Sequence, residues 1–205
     1  MSSKHRLQLQ YPPQSLLDGD LDFYPGAIAD SRQLFQQLLA TVPWQQGFIT
    51  LYGRRHCIPR LQAWIGDPGL TYRYSGESLT PLPWNEPLQQ LCTELNRHFG
   101  LQLNSVLCNL YRHGQDSMGW HSDDEAELGP APRILSLTLG CERDFALRRR
   151  GSSRQYGVLA LPDGSLLDMK PGMQSRWQHA LPRRQRLHEA RINLTFRELL
   201  APSSQ

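Results

Sequence analysis

The sequence predicts a mainly β protein with two leading helices, of the β-sandwich or jelly-roll type. Two amphipathic helical stripes occupy its first half, and short strand-like runs separated by turn residues fill its second half. The chain has 205 residues, 39% of them hydrophobic, which suits one packed domain and leaves little room for a second. We therefore expect a single α+β domain in which strands dominate.

The chain begins with a predicted arm and a predicted helix. Residues 1–22 hold Pro12-Pro13 and Asp18-Gly19-Asp20, which favour an irregular arm, so the domain is expected over residues 23–205. Asp30 or Ser31 can cap the first helix. Its apolar positions are Leu34, Phe35, Leu38, Leu39 and Val42.

A second helix is predicted to begin near Asn85, with Pro87 in its first turn, and to end at Gly100. Between the helices, residues 48–52 are predicted as a strand, and a stretch rich in Pro, Gly and aromatic residues covers residues 59–84. The remaining predicted strands are residues 105–111, 134–139, 145–148, 158–161, 165–169 and 192–196.

The amino-acid composition favours some classes of binding site over others. Only Lys4 and Lys170 are lysines among the 22 basic residues, so 20 are arginines, whose forked guanidinium groups suit phosphate and carboxylate recognition. Arginine-rich codon usage would explain the same bias. The four cysteines are widely spaced with no Cys-x-x-Cys, so we expect reduced thiols rather than a zinc site or disulfides.

His121 and Asp123 are separated by one serine. On a strand or its extended end, residues two apart point to the same side, so both side chains can face one metal ion. Two histidines and one carboxylate on one face of an iron ion leave other coordination positions open, as in non-haem oxygenases. A third ligand must come from elsewhere, and His179 is the best-placed remaining histidine because it shortly precedes an arginine-bearing strand.

That strand, residues 191–197, alternates strictly between apolar and polar side chains. Its polar face consists of Arg191, Asn193, Thr195 and Arg197. An edge strand with this face in water is one interpretation. The other is a site for a small dicarboxylate, which two arginines beside an amide and a hydroxyl would bind through charge-assisted hydrogen bonds. Asn109 and Tyr111, two apart on another predicted strand, would add neutral donors.

The order of these motifs resembles the AlkB family of Fe(II)- and 2-oxoglutarate-dependent nucleic-acid dealkylating dioxygenases, and within it the duplex-DNA repair type. The resemblance covers nearly all of residues 48–200 and is carried by residues 70–76, 119–125, 164–167 and 191–197. It implies a double-stranded β-helix (jelly-roll) core over about residues 101–200 and an N-terminal nucleotide-recognition lid over about residues 44–84.

The resemblance also implies a set of cofactors and the residues that bind them. The implied iron ligands are His121, Asp123 and His179. The implied 2-oxoglutarate contacts are Asn109, Tyr111, Arg191, Asn193 and Arg197, with Arg191 at the distal carboxylate and Arg197 nearer the metal-chelating end. The implied reaction uses O2 and couples 2-oxoglutarate decarboxylation to hydroxylation of an N-alkyl carbon. For 1-methyladenine or 3-methylcytosine in DNA, this releases formaldehyde and repairs the base directly.

Several residues resemble the family's substrate contacts. Tyr72 would stack a flipped base against the His121 ring. Tyr74 and Ser75 belong to the same lid segment, and Asp124 and Glu125 would favour a base that carries positive charge. A simpler interpretation makes the tyrosines part of the core and the acids a solvated turn.

Other residues resemble contacts to the DNA around the lesion. Tyr52 occupies the position of an aromatic wedge that fills the vacated stack, although the duplex-DNA repair type of the family has phenylalanine there. Arg60 matches a residue of the lid. Arg184 and Arg186 lie in a basic loop that would hold the undamaged strand, and further arginines at 148–150, 154, 176 and 183 can contact phosphates.

We therefore expect a monomer whose partner is alkylated DNA, duplex and also single-stranded. Alternatives are RNA or single strands as the substrate, a catalytically idle nucleic-acid-binding module, and a protein or small-molecule hydroxylase. No apolar run approaches the roughly 20 residues of a spanning helix, and residues 1–14 lack the apolar stretch of a signal peptide. We expect a protein that is not secreted and not membrane-bound, cytoplasmic in a bacterium or nuclear in a eukaryote.

Overall fold

The structure is a computed structural model that describes residues 7–9, 12–51, 53–74 and 77–200. Two antiparallel sheets of eight and four strands contain most of the regular secondary structure of these residues, with a small two-stranded sheet beside them. This arrangement confirms the predicted mainly β, jelly-roll type of fold.

The eight-stranded sheet has the strand order β1-β2-β12-β9-β14-β7-β4-β3. Its strands are β1 (Gln14–Leu16), β2 (Leu21–Tyr24), β3 (Gln45–Leu51), β4 (Arg54–Gly66), β7 (Ser105–Tyr111), β9 (Ile134–Gly140), β12 (Leu166–Met169) and β14 (Arg191–Arg197). The four-stranded sheet, ordered β11-β10-β13-β8, consists of β8 (Met118–His121), β10 (Arg143–Arg149), β11 (Gly157–Leu161) and β13 (Trp177–Leu181). The small sheet pairs β5 (Tyr72–Tyr74) with β6 (Glu77–Leu79).

The three helices are α1 (Ser31–Thr41), α2 (Glu86–Phe99) and the one-turn α3 (Met173–Arg176). The α2 boundaries agree with the sequence prediction: Asn85 Oδ1 accepts the Leu88 N–H at 3.1 Å, and Gly100 closes the helix in the left-handed region at φ 64°. Asp30 is the N-cap of α1, but its side chain makes no capping hydrogen bond.

The central strands β9, β14 and β7 separate an apolar layer from a polar one. One face of each strand packs beneath α1 and α2, as shown by Leu137, Ile192 and Cys108, which share a buried cluster with Leu38 and Leu91. The opposite face points between the two sheets. A second apolar cluster joins the sheets around Trp177, Phe145 and Met169. The polar face of β14 is therefore enclosed by protein, not turned to water as on an ordinary edge strand.

The N-terminal region differs from the predicted arm. Strands β1 and β2 extend the large sheet, and β2 pairs with β12 so that Asp22 lies opposite Asp168. Two basic side chains neutralise these buried acids: Lys170 Nζ is 2.6 Å from Asp22, and Arg133 contacts both oxygens of Asp168 at 2.9 and 2.7 Å. Short strands with acidic residues give a weak periodic signal, which is why this region resembled an arm.

Strand β4 was not predicted from the sequence, and it extends into residues 59–84, which were described there only as rich in Pro, Gly and aromatic residues. It runs for 13 residues through Pro59. Proline is tolerated because β4 pairs with β7 only from Leu61 onward, and its register with β3 shifts between Gln46 and Phe48. Within the described residues, no helix combines the length and apolar character needed to cross a membrane.

Candidate active site

The candidate metal ligands meet at one end of the four-stranded sheet. His179 on β13 lies directly opposite His121 on β8, and Asp123 follows β8 by two residues. The ligand atoms of the three side chains all lie within 4.8 Å of one another. His179 Nε2 is 3.6 Å from Asp123 Oδ2. The three residues thus form a cluster that could hold one metal ion.

Each histidine is oriented for metal binding by its surroundings. The His121 Nδ1–H donates to the Gly119 carbonyl at 2.9 Å, which leaves the Nε2 lone pair available. Burial lowers the pKa of His179 to about 3, so its imidazole is neutral, the form that binds metals. The Phe145 ring stacks on His179 with 5.0 Å between the ring centroids and restrains its plane.

Asp123 is buried and ionised. Burial alone would raise its pKa, but the Arg197 guanidinium holds the pKa below its usual range. Arg197 Nη2 donates a hydrogen bond to Asp123 Oδ1. Gln174 Oε1 accepts the backbone N–H of Asp123 at 3.0 Å. One carboxylate oxygen is therefore held by Arg197, while the other faces His179.

The polar floor of the pocket comes from paired strands. Arg191 and Asn193 of β14 lie opposite Tyr111 and Asn109 of β7 in the antiparallel register. All four residues line one pocket together with His121, Asp123, His179 and Arg197. The structure thus brings the eight residues assigned to iron and 2-oxoglutarate into one cavity between the sheets.

Arg191 is prepared to bind an anion. It is 1% exposed, and its Nη2 donates to Thr138 Oγ1 at 2.8 Å and to Asn193 Oδ1 at 2.7 Å. Its Nε and Nη1 have no hydrogen-bond partner in the part of the chain described here. Burial lowers its pKa to about 10, so it remains a cation at neutral pH. A carboxylate in the pocket would supply the missing acceptor and the compensating charge.

The donor set fits Fe(II) and 2-oxoglutarate. Two histidines with one carboxylate leave open coordination positions for a chelating ligand and for O2. The buried, unpaired N–H groups of Arg191 face the same pocket and suit the far carboxylate of a short dicarboxylic acid.

Comparison with known proteins identifies the family. Residues 22–197 match the 2OG-Fe(II) oxygenase superfamily. The chain belongs to this superfamily. DNA oxidative demethylase ALKBH2 of Homo sapiens is 39% identical over 182 residues, which are 84% of this chain and 70% of that protein. The Mus musculus protein of the same name is 40% identical over 84% of this chain and 76% of its own length.

A further relative agrees with this assignment, and a solved structure shares the fold. The Homo sapiens alpha-ketoglutarate-dependent dioxygenase alkB homolog 3 is 37% identical over 85% of this chain and 64% of its own length. An oxidoreductase of the 2OG-Fe(II) oxygenase family from Burkholderia pseudomallei shares the fold, with a TM-score of 0.58 at 15% identity over 87% of this chain and 84% of that one. The protein is therefore an Fe(II)- and 2-oxoglutarate-dependent dioxygenase of the AlkB type that uses O2.

Some residues predicted to contact the substrate lie outside the described part of this oxygenase. Tyr52 and Ser75 are among them, and Tyr72 and Tyr74 are described only as backbone of β5. Arg60 is 4% exposed, and its Nε donates to Asn109 Oδ1 at 2.9 Å. The structure thus places Arg60 against a candidate co-substrate residue.

The remaining predicted substrate residues lie near the surface. Asp124 pairs with Arg150 at 2.5 Å, and both side chains are about half exposed. Arg184 pairs with Asp144 at 2.5 Å, while Arg186 is exposed in the same loop. Glu125 is half-buried and immediately precedes a single 3-10 turn, Ala126–Leu128.

Sequence reasoning missed two hydroxyl groups in the oxygenase site. Ser136 lines the pocket and donates to Asn193 Oδ1 at 3.3 Å, and Thr138 accepts from Arg191. Both lie on β9, where they alternate with leucines. The same alternation that singled out β14 was therefore present in β9, and it could have identified them.

Proposed function

We propose that this protein is an oxidative demethylase that removes alkyl groups from N-alkylated bases in DNA, such as 1-methyladenine and 3-methylcytosine. The pocket carries the proposal: the histidine–aspartate cluster and the buried Arg191, two of whose nitrogens have no partner among the described residues, line one cavity. The proteins named DNA oxidative demethylase that are 39–40% identical to this chain support DNA as the substrate.

Bound iron and 2-oxoglutarate supply the oxidation: with O2, the co-substrate is decarboxylated to succinate while the N-methyl carbon is hydroxylated and then leaves as formaldehyde. The side chains position the reactants. Arg191 would neutralise the far carboxylate of the co-substrate, and Arg197 holds one oxygen of Asp123 so that the other would be available to the metal ion. The apolar layers on both sides of the sheets exclude bulk water from the pocket.

We assign the lid to residues 44–84 and the base contacts to Tyr72, Tyr74, Ser75, Asp124 and Glu125. In this proposal the Asp124 carboxylate gives up its ion pair with Arg150 and pairs with a cationic base instead, or it stays paired and affects the base through Arg150. Such an exchange is inexpensive because an exposed ion pair contributes roughly 0–1 kcal/mol.

The arginine-rich surface supports a polyanionic partner. Arg149, Arg150, Arg176 and Arg184 each contact an aspartate. A DNA phosphate can replace these carboxylates because it offers the same geometry to the guanidinium group. Binding should therefore weaken steeply with salt concentration.

We further propose that the protein acts as a monomer. We also propose that it acts in the compartment that holds the genomic DNA, which is the cytoplasm of a bacterium or the nucleus of a eukaryote. The three candidate ligands and the pocket lining are complete within one copy of the chain, so the proposed site needs no residue from a second copy.

The proposal is tested by measuring formaldehyde and succinate release with methylated duplex DNA, single-stranded DNA and RNA of one sequence. We expect equal amounts of both products from DNA, and none from the Asp123→Ala variant. If more formaldehyde and succinate are released with RNA than with DNA, RNA is the preferred substrate. If no substrate leads to succinate release, the protein is better described as a catalytically idle nucleic-acid-binding module.

Duplex preference is tested separately at Tyr52. If its ring fills the space of a flipped base, Tyr52→Ala should lower kcat/KM on methylated duplex about tenfold more than on single strands, because unstacking costs a few kcal/mol. Tyr52→Phe should match the parent. Assays at one salt concentration keep phosphate contacts constant, and an equal loss on both substrates would make Tyr52 a structural residue.

A further inference from the structure

Asn109 presents only one end of its side-chain amide to the pocket. It is 5% exposed, and its Oδ1 accepts two hydrogen bonds from β4, from Arg60 Nε at 2.9 Å and from Gln62 Nε2 at 2.8 Å. The guanidinium Nε–H can only donate, so the Asn109 atom that faces Arg60 must be the oxygen. Both lone pairs of that oxygen are occupied, which leaves the Nδ2 amino group to face the cavity.

The Nδ2 group of Asn109 has no hydrogen-bond acceptor among the residues that the structure describes. The neighbouring Asn193 differs, because its Nδ2 donates to Thr195 Oγ1 at 2.8 Å. A buried amide whose oxygen is saturated and whose amino group faces a cavity is arranged to donate to a ligand.

We propose that Gln62 is a positioning residue, which together with Arg60 fixes the Asn109 amide so that its N–H groups donate to 2-oxoglutarate. This inference rests on the proposed assignment of Asn109 to the co-substrate. Gln62 lies directly opposite Asn109 in the β4–β7 pairing and acts through it without touching the co-substrate. The hairpin strand β4 thereby becomes part of the co-substrate site.

The test replaces a donor by an acceptor of the same shape. In Gln62→Glu the new carboxylate faces the Asn109 oxygen, and the two groups repel each other. Turning the amide over would point its N–H groups at Arg60 Nε, another donor. The first arrangement displaces the amide from its fixed position, and the second turns its donor away from 2-oxoglutarate. In both cases we expect the Kd for 2-oxoglutarate to rise about tenfold.

Binding is measured by calorimetry on the iron-loaded protein without oxygen, so that no turnover is needed. Gln62→Met, which removes the donor and adds no charge, should raise the Kd less than Gln62→Glu does. Gln46→Glu is the matched control, since Gln46 Nε2 donates to the backbone carbonyls of Gly47 and Ile58 at 3.0 and 2.7 Å. It should change thermal stability but not the Kd.

A double-mutant cycle separates positioning from general damage to the fold. In an Asn109→Ala background, Gln62→Glu should cause no further rise in the Kd, because the group through which it acts is gone. An additive loss, or an unchanged Kd for Gln62→Glu alone, would overturn the inference.

Failure of this inference about Gln62 can be distinguished from failure of the proposed DNA demethylase function. A parent protein that does not bind 2-oxoglutarate would overturn the co-substrate site, and this inference with it. A parent that binds 2-oxoglutarate and responds to the Gln62 variants as described, yet releases no formaldehyde from DNA, would support the inference and refute DNA demethylation.

Discussion

Arg191→Met should separate co-substrate binding from folding. The parent side chain is fully buried and carries a charge that no described carboxylate neutralises. Truncating one partner of a buried, hydrogen-bonded charge pair costs about 2–5 kcal/mol. At about 1.4 kcal/mol per tenfold, the Kd for 2-oxoglutarate should rise by at least about 30-fold.

The same substitution should leave the protein without 2-oxoglutarate nearly as stable as the parent. Thr138 and Asn193 each lose one hydrogen bond, worth about 1 kcal/mol. That loss is offset by removing a buried cation without a counter-ion and by filling its space with an apolar side chain. Ligand-free Arg191→Met should therefore unfold within a few degrees of the parent.

Thermal unfolding of the iron-loaded protein at fixed 2-oxoglutarate measures both effects. At 100 times the parent Kd, the ligand stabilises the parent by about 2.7 kcal/mol and a variant with 30-fold weaker binding by about 0.9 kcal/mol. For a domain of this size, these values correspond to increases in Tm of about 5–10 °C and about 2–3 °C.

Arg133→Met is the control for the Arg191 experiment. It removes the ion-pair partner of buried Asp168 on the far side of the sheet, so it should lower the Tm while the shift caused by 2-oxoglutarate stays at the parent value. An Arg191→Met protein that keeps the parent's shift would show that another residue anchors the co-substrate.

Two further predictions concern the metal cluster and the basic loop. His121→Ala and Asp123→Ala should each abolish 2-oxoglutarate decarboxylation with an unchanged circular dichroism spectrum, and retained decarboxylation in both would refute the metal assignment. Asp123→Ala should also lower the Tm, because Arg197 loses its carboxylate. Gly114→Ala should lower the Tm as well, since a Cβ there would lie 1.7 Å from the Arg184 carbonyl oxygen; an unchanged Tm would mean that the loop shifts freely.

The local sequence pattern was sufficient to predict a strand or helix where that element has one clearly apolar face. The β14 bounds and its polar face follow from strict alternation, and those of α2 follow from Asn85, Pro87 and Gly100. The His121–Asp123 pair could be proposed from the spacing of two residues alone. These features depend on neighbours in sequence, so the sequence is enough to find them.

Features that depend on pairing between distant segments were missed. Strands β8 and β13 hold His121 and His179, yet β8 contains four residues including Gly119, and β13 follows directly after α3. Only their antiparallel pairing brings the two histidines opposite each other. Arg60 illustrates the same limit, because its contact with Asn109 arises from the β4–β7 register, which sequence reasoning did not include.

Arg143 and Arg191 show how the structure separates an arginine that supports the fold from one that binds a ligand. Both are at most 2% exposed, and burial lowers the pKa of each. Arg143 donates to the carbonyls of Asp116 and Pro182 at 2.9 and 2.7 Å, and so ties together the two loops that follow β7 and β13.

Arg191 has side-chain acceptors for only one of its nitrogens among the described residues, and it lines the pocket. Arg143, whose two terminal nitrogens donate to carbonyls of neighbouring loops and which leaves only Nε without a partner among the described residues, stabilises the fold. A buried cation that keeps free donors beside a pocket destabilises the fold until an anion binds there. Residue type and burial are the same in the two cases. The hydrogen-bond acceptors around each guanidinium group therefore distinguish them, and they indicate that Arg191 binds the co-substrate while Arg143 holds the loops together.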